Sequence, residues 1–211
     1  MTRKFNGQSI VIASHNSGKI LEFEELFANS GYHITSASQL GFPEPVEDGL
    51  SFKENAEIKA RSSALLAGYP SISDDSGLVV PLINGEPGIH SARWALTKSG
   101  NKNFNLAIEK IKNKIVTLGE IPSGQNAHFV CALTMCWPDG YMETVEGYVH
   151  GKLTFPSKGN MGFGYDSIFI PNGQSLTYGE IKPEEKHQNS HRADAFKQLL
   201  TACFNKNWWQ H

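Results

Sequence analysis

The chain has 211 residues, 19% of them charged and 39% hydrophobic, with a formal net charge of −2. That length suits a single domain over residues 1–211, at most divided into two lobes, and the weak net charge argues against broad binding to nucleic acid or to anionic membrane. No apolar run approaches the ~20 residues of a membrane span, and Met1–Gly7 lacks the apolar stretch of a signal peptide. Three cysteines, Cys131, Cys136 and Cys203, fit buried thiols in a reducing cytoplasm better than a disulfide framework.

Ser9 to Ser14 reads as a short apolar strand, followed by a helix that stops near Asn29-Ser30-Gly31. Tyr32 to Ala37 alternates like a second strand. Gly41 to Gly49 is a loop with an acidic end, Glu47-Asp48. Ser51-Phe52-Lys53-Glu54 has capping-box spacing and predicts a helix ending at Gly68. Ser71 to Ser73 reads as strand, Asp74-Asp75-Ser76-Gly77 as turn, and Leu78 to Ile83 as strand again. Phe104, Ile108, Ile111 and Ile115 mark a helix that ends at Gly119. Ala127 to Trp137 and Tyr141 to Leu153 are long strands joined by the turn Pro138-Asp139-Gly140. Gly159 to Gly164 is glycine-rich and leads into a strand over Tyr165 to Ile170. Phe196, Leu199, Leu200 and Cys203 give the last helix, with Ser190 as its N-cap. Alternating strands and helices followed by a late hairpin predict an α/β fold with a mixed sheet. Trp208 and Trp209, near the C-terminus, fit docking on the chain's own domain or on a partner subunit.

Two helices begin with a charge that their dipoles disfavour. Lys19, after Ser14-His15-Asn16-Ser17-Gly18, and His191-Arg192, after Ser190, each fall in a first turn, where N–H groups are unpaired and the potential is positive. A phosphate chain or another acceptor-rich ligand would resolve the conflict. The segment at Gly18-Lys19 is no P-loop, because Ala13 stands where the motif needs glycine and Ile20 where it needs Ser or Thr. Asp74 and Asp75, with Glu47-Asp48, offer carboxylates for magnesium and for a general base. Glycines flank Phe163, leaving a ring face on which a nucleobase could stack, with Asp166 beside it. His187 and His191 are four apart, but without the glutamate of a zinc-protease helix they do not predict zinc. Each feature has a plainer alternative: cations turned to water, an Asx-type turn, a β-bulge with a core aromatic. Glu54 needs only its capping role.

Taken in order, Ser14-x-Asn16-x-x-Lys19, Glu47-Asp48-Gly49-Leu50-Ser51-Phe52 with Glu54-Asn55-Ala56, Ser73-Asp74-Asp75-Ser76-Gly77-Leu78, Pro87-Gly88-Ile89-His90-Ser91-Ala92-Arg93, Phe163-Gly164-Tyr165-Asp166, and Glu185-Lys186 with Ser190-His191-Arg192 resemble the inosine/xanthosine triphosphate pyrophosphatase family. The resemblance runs from about Ile10 to Leu200. It implies an α/β fold with a long mixed sheet and flanking helices, two lobes around a central cleft, and a homodimer. It also implies Mg2+-dependent hydrolysis of ITP, dITP and XTP, purine nucleoside triphosphates, to monophosphate and pyrophosphate.

By position, the resemblance makes Asp75 the general base and, with Glu47, a metal ligand. Substrate contacts would come from the segment Ser14, His15, Asn16, Ser17, Gly18 and Lys19 at the phosphates. Others would come from Ser76, and at the nucleoside from Phe163, Gly164, Tyr165, Asp166, Lys186, His191 and Arg192. His90, Trp94 and Ser167 depart from the family's usual residues, but none touches the implied chemical step. A pyrophosphatase for modified pyrimidine triphosphates, or a non-catalytic nucleotide sensor, would use similar parts.

Overall fold

The computed structural model describes residues 2–205. A six-stranded mixed sheet runs in the order β2-β1-β3-β4-β5-β6. The strands are β1 (Ser9–Ile12), β2 (His33–Ser36), β3 (Ser71–Val79), β4 (Asn126–Cys136), β5 (Met142–Leu153) and β6 (Phe169–Pro171). The helices are α1 (Ser17–Phe27), α2 (Phe52–Ala67), α3 (Ser91–Trp94), α4 (Phe104–Thr117), α5 (Pro183–Gln188) and α6 (His191–Cys203). β1 pairs in parallel with β2, Ser9 opposite His33, and with β3, Val11 opposite Ser71. Its Ile10, Val11 and Ile12 are all buried, as a parallel strand covered on both faces requires. β6 closes against β5 in antiparallel register. Among the described residues no helix is long and apolar enough to cross a membrane.

The chain divides into two compact units, each with its own core. The first comprises 1–75, 131–147 and 194–211. Its core joins Ile10, Ile12 and Ile72 of the sheet to Phe23 and Phe27 of α1 and to Phe196, Leu199 and Leu200 of α6. The second comprises 76–130 and 148–193, and its core gathers Ile108, Ile111 and Ile115 of α4 with Leu78, Phe129, Phe169 and Tyr178. All three cysteines are buried thiols outside any disulfide.

The local end signals hold where they are self-contained. Ser51 accepts from the Glu54 N–H at 3.1 Å, and Gly68 ends α2 at φ 68°. The Glu54 carboxylate, however, takes the Leu50 N–H at 2.6 Å, one residue before the cap. Three sequence expectations are corrected. Asp74-Asp75-Ser76-Gly77 is no turn, since β3 runs unbroken from Ser71 to Val79. Leu78 to Ile83 is no separate strand, because Pro81 removes a ladder donor and starts a 3-10 turn, Pro81–Ile83. The strand expected over Tyr165 to Ile170 shrinks to Phe169–Pro171 behind a 3-10 turn at Asp166–Ile168. The short helices α3 and α5 were not expected. Trp208 and Trp209 lie outside the described residues.

Candidate active site

Each unit carries its own cluster of polar side chains. In the first, β1 ends and the chain turns into α1 through Asn16, the N-cap, whose Oδ1 accepts from the Gly18 N–H at 3.0 Å and the Lys19 N–H at 3.4 Å. The Asn16 N–H in turn donates to Ser14 Oγ at 3.2 Å. His15 reaches back to the Phe42 carbonyl at 2.8 Å, and Ser17 is exposed at the start of the helix. The Lys19 ammonium does not turn to water. It meets Asp74 Oδ2 at 2.9 Å, with the two side chains 15% and 1% exposed.

β3 gives the two adjacent aspartates different partners. Successive strand residues point to opposite faces. Ile72 and Asp74 face the side of α1, where Ile72 joins Phe23 in the core and Asp74 meets Lys19. Ser71, Ser73 and Asp75 face α2, where the two serine hydroxyls donate to the carbonyls of Ala60 and Ala56. Asp75 Oδ2 accepts from Asn55 Nδ2 at 3.2 Å, and its Oδ1 lies 3.7 Å from Lys59 Nζ. Lys59 also pairs with Glu47, so one ammonium gathers both carboxylates. Asn55 Oδ1 accepts the Gly49 N–H at 2.9 Å, which ties the acidic loop to the same helix.

Burial pushes the Asp75 carboxyl above the ordinary aspartate range, further than the nearby Lys59 and Lys19 pull it down. For Lys59, burial works against the charged form, but Asp75, Asp74 and Glu47 together hold its pKa up. Asp75 is thus a buried carboxylate more basic than usual, the property a general base for water needs. Glu47 and Asp75 supply hard oxygen donors that approach a single cation, which fits magnesium, an ion that takes one or two carboxylates and completes its shell with water and substrate phosphate. Among the described residues, no group of three or more His, Cys, Asp or Glu is arranged to hold a metal.

The second unit holds an aromatic and cationic cluster. Gly162 at φ 75° and Gly164 at φ 71° bend the chain on either side of Phe163, whose N–H donates to Asp166 Oδ2 at 2.8 Å. The same oxygen pairs with Lys186 Nζ at 2.7 Å, both side chains being buried. Lys186 Nζ lies 4.8 Å from the Phe163 ring centroid, a cation–π contact that leaves Phe163 43% exposed. Tyr165, by contrast, is a core side chain: its hydroxyl donates to the Ser91 carbonyl at 2.8 Å, and burial raises its pKa. Only its backbone remains for a ligand. Ser190 Oγ caps α6 by accepting the Ala193 N–H at 3.1 Å. The two basic side chains after it are buried rather than turned to water. His191 stacks on Phe129 at 4.9 Å with the rings 13° apart, and Arg192 Nη2 donates to Ser76 Oγ at 3.1 Å.

Sequence reasoning gave no role to Lys59, Asn55 or Phe129. The first two carried a signal: one turn apart, they interrupt the stripe Ala56, Ala60, Ala64 on the buried face of α2. Phe129 carried none, being one apolar residue among many on β4.

The first unit of this α/β chain thus holds a strand-to-helix turn with oriented N–H groups and a buried basic carboxylate, and the second holds an exposed aromatic ring beside the buried ammonium of Lys186. The chain belongs to the Ham1 family, whose sequence profile matches residues 10–202. It is 50% identical over 202 residues to the dITP/XTP pyrophosphatase of Rhodospirillum centenum, covering 96% of this chain and 98% of that one. It is 48% identical over 201 residues to the dITP/XTP pyrophosphatase of Zymomonas mobilis, covering 95% and 94%. Among solved structures, the Coxiella burnetii HAM1 protein matches at TM-score 0.83 and 33% identity over 92% of this chain and 98% of that one. The Staphylococcus aureus Ham1 protein matches at 0.78 and 37% over 92% and 96%.

Proposed function

We propose that this chain hydrolyses deaminated purine nucleoside triphosphates (ITP, dITP and XTP) to the monophosphate and pyrophosphate. The observation that carries the proposal is Asp75: a buried carboxylate, raised in basicity, held by Asn55 and sharing Lys59 with Glu47. The names of the relatives supply the substrate class. Asp75 accepts the proton of the water that attacks the α–β anhydride. Lys19 and the N–H groups at the start of α1 stabilise charge on the pyrophosphate leaving group. Ser14 and Asn16 hold that turn in shape.

Glu47 and Asp75 hold Mg2+ in this proposal; when bound, the ion stabilises negative charge on the phosphate oxygens. In the second unit, Phe163 offers a stacking face, Lys186 and Asp166 fix its loop, and Arg192 donates to the 6-oxo group of the base. Adenine carries an amine donor at that position and leaves the arginine donors unpaired, a heavy cost when desolvated. We further place the enzyme in the cytoplasm as a homodimer. Buried thiols outside any disulfide favour the compartment, and the family resemblance favours the dimer.

The test is pyrophosphate release across a panel of nucleoside triphosphates with Mg2+. ITP, dITP and XTP should be cleaved in one step, with ATP and GTP much slower. Preference for modified pyrimidines overturns the base assignment, and binding without turnover makes the chain a sensor. Sedimentation at micromolar concentration checks the dimer, which a monomer of 23.3 kDa contradicts.

A further inference from the structure

β4 and β5 form a hairpin whose register is fixed by two main-chain bonds. The Trp137 N–H donates to the Tyr141 carbonyl at 2.9 Å near the turn, and the Leu153 N–H donates to the Gln125 carbonyl at 2.9 Å at the far end. Both bonds set the same pairing, so Thr134 lies opposite Thr144 and His128 opposite His150. The hydroxyls of the threonine pair meet at 2.9 Å, as directly opposed side chains should. The imidazoles of His128 and His150 likewise share a face, with ring centroids 5.2 Å apart and planes 36° apart. Tyr148, two residues from His150 on the same face, stacks on it at 14° and lies 6.2 Å from His128. His150 and Tyr148 are exposed and His128 is half-buried, so the pair opens to solvent. Nothing in the proposed hydrolysis uses these three residues.

We propose that His128 and His150 form a two-imidazole chelate for a borderline transition-metal ion of the Zn2+, Cu2+ or Ni2+ class, separate from the magnesium carboxylates. Imidazole nitrogen suits these ions and not Mg2+, which takes oxygen. Metal–nitrogen bonds are about 2.0–2.1 Å long, so two rings can share one ion only if their nitrogens come within bonding reach of one point. In the proposed site, direct cross-strand opposition, with ring centroids 5.2 Å apart, brings the two rings to one ion. Tyr148 covers one side of His150 and limits its rotation. Water completes the coordination shell.

The test is calorimetric titration of the full chain with Cu2+ and with Zn2+, each alone, beside His128→Gln and His150→Gln. The expected result is one site per chain that both substitutions weaken alike, by about a hundredfold, since each turns a chelate into a single ligand. The Cu2+ spin-resonance spectrum of the parent should show two nitrogen ligands from imidazole, and that of each variant one fewer. His150 is exposed, so His150→Gln should keep the parent's melting temperature and its ITP turnover with Mg2+. Metal binding unchanged in either variant, or lost in only one of them, overturns the chelate whatever the outcome for ITP hydrolysis.

Discussion

Asp74 and Asp75 are neighbours in the chain and serve different cations. Asp74 meets Lys19 of α1 at 2.9 Å, and Asp75 approaches Lys59 of α2 at 3.7 Å. The alternation of β3 separates them, which predicts separable defects. Asp75→Asn keeps the shape and the Asn55 contact but cannot accept a proton at neutral pH. Turnover should fall by about 10²–10⁴ with the fold intact. Asp74→Asn should cost less activity but more stability, about 1–3 kcal/mol, because Lys19 loses its ionic partner in a largely buried setting. Steady-state rates and thermal melts of the two variants check this; near-normal turnover for Asp75→Asn removes it as the base.

The raised pKa of Asp75 carries a second prediction, about pH. A carboxyl whose folded pKa exceeds its usual 3.8 contributes stability fully below that value and loses it as pH rises through the folded pKa. Asp75→Asn is neutral throughout, so its metal-free melting temperature at pH 7 should not fall below the parent's. Its melting curve across weakly acidic pH should also be flatter. Lys59 holds the Asp75 pKa down, against burial. Lys59→Met should therefore move the acidic limb of the kcat/KM profile to higher pH at fixed Mg2+. A limb that stays in place means that Asp75 is not the group being titrated.

These relationships were only partly legible in the sequence. Ser51, Gly68 and Ser190 could be read because a cap is a local transaction between a side chain and N–H groups a few residues away. The strand character of β4 and β5 was also legible, as two long runs of strand-forming residues joined by a turn. Asp74-Asp75 misled because aspartate disfavours strands, and two of them before a glycine mimic a turn. What keeps the strand intact is remote: Lys19, 55 residues away, and Asn55 and Lys59 on a separate helix. Helix α5 has six residues, too few for a period to show, although Pro183 at its first turn followed by Glu184 and Glu185 is a proper start signal. The buried Lys186–Asp166 pair spans 20 residues and leaves no pattern in either segment.

Phe163 offers a third test. Its ring is exposed, while the Asp166–Lys186 pair beneath the loop is buried. Phe163→Ala should leave the melting temperature near that of the parent and raise KM for ITP by the loss of stacking, about 1–3 kcal/mol. Asp166→Asn should do the reverse in emphasis, lowering the melting temperature because Lys186 is left buried without its carboxylate. If Phe163→Ala binds ITP as the parent does, the ring is no part of the base site.

The two helix-start cations give the last prediction. Lys19 and Arg192 both stand where the dipole opposes them, and both are held by the protein: Lys19 by Asp74, Arg192 by Ser76. Removing the opposing charge is therefore not a simple gain in stability. Arg192 is 3% exposed, so Arg192→Ala should lower the melting temperature of the ligand-free chain, by about 1–3 kcal/mol for the lost hydrogen bonding and packing. On the proposed function it should also raise KM for ITP and narrow the preference for ITP over ATP, because the donor that meets the 6-oxo acceptor is gone. Lys19→Ala leaves Asp74 buried beside the start of a helix, where the dipole partly compensates the carboxylate. It should weaken ITP and ATP alike, because phosphate is common to both. Kinetics on the two nucleotides with melts of both variants separate the roles. A fall in melting temperature for Arg192→Ala with an unchanged ITP/ATP ratio makes Arg192 a packing residue and moves base recognition elsewhere.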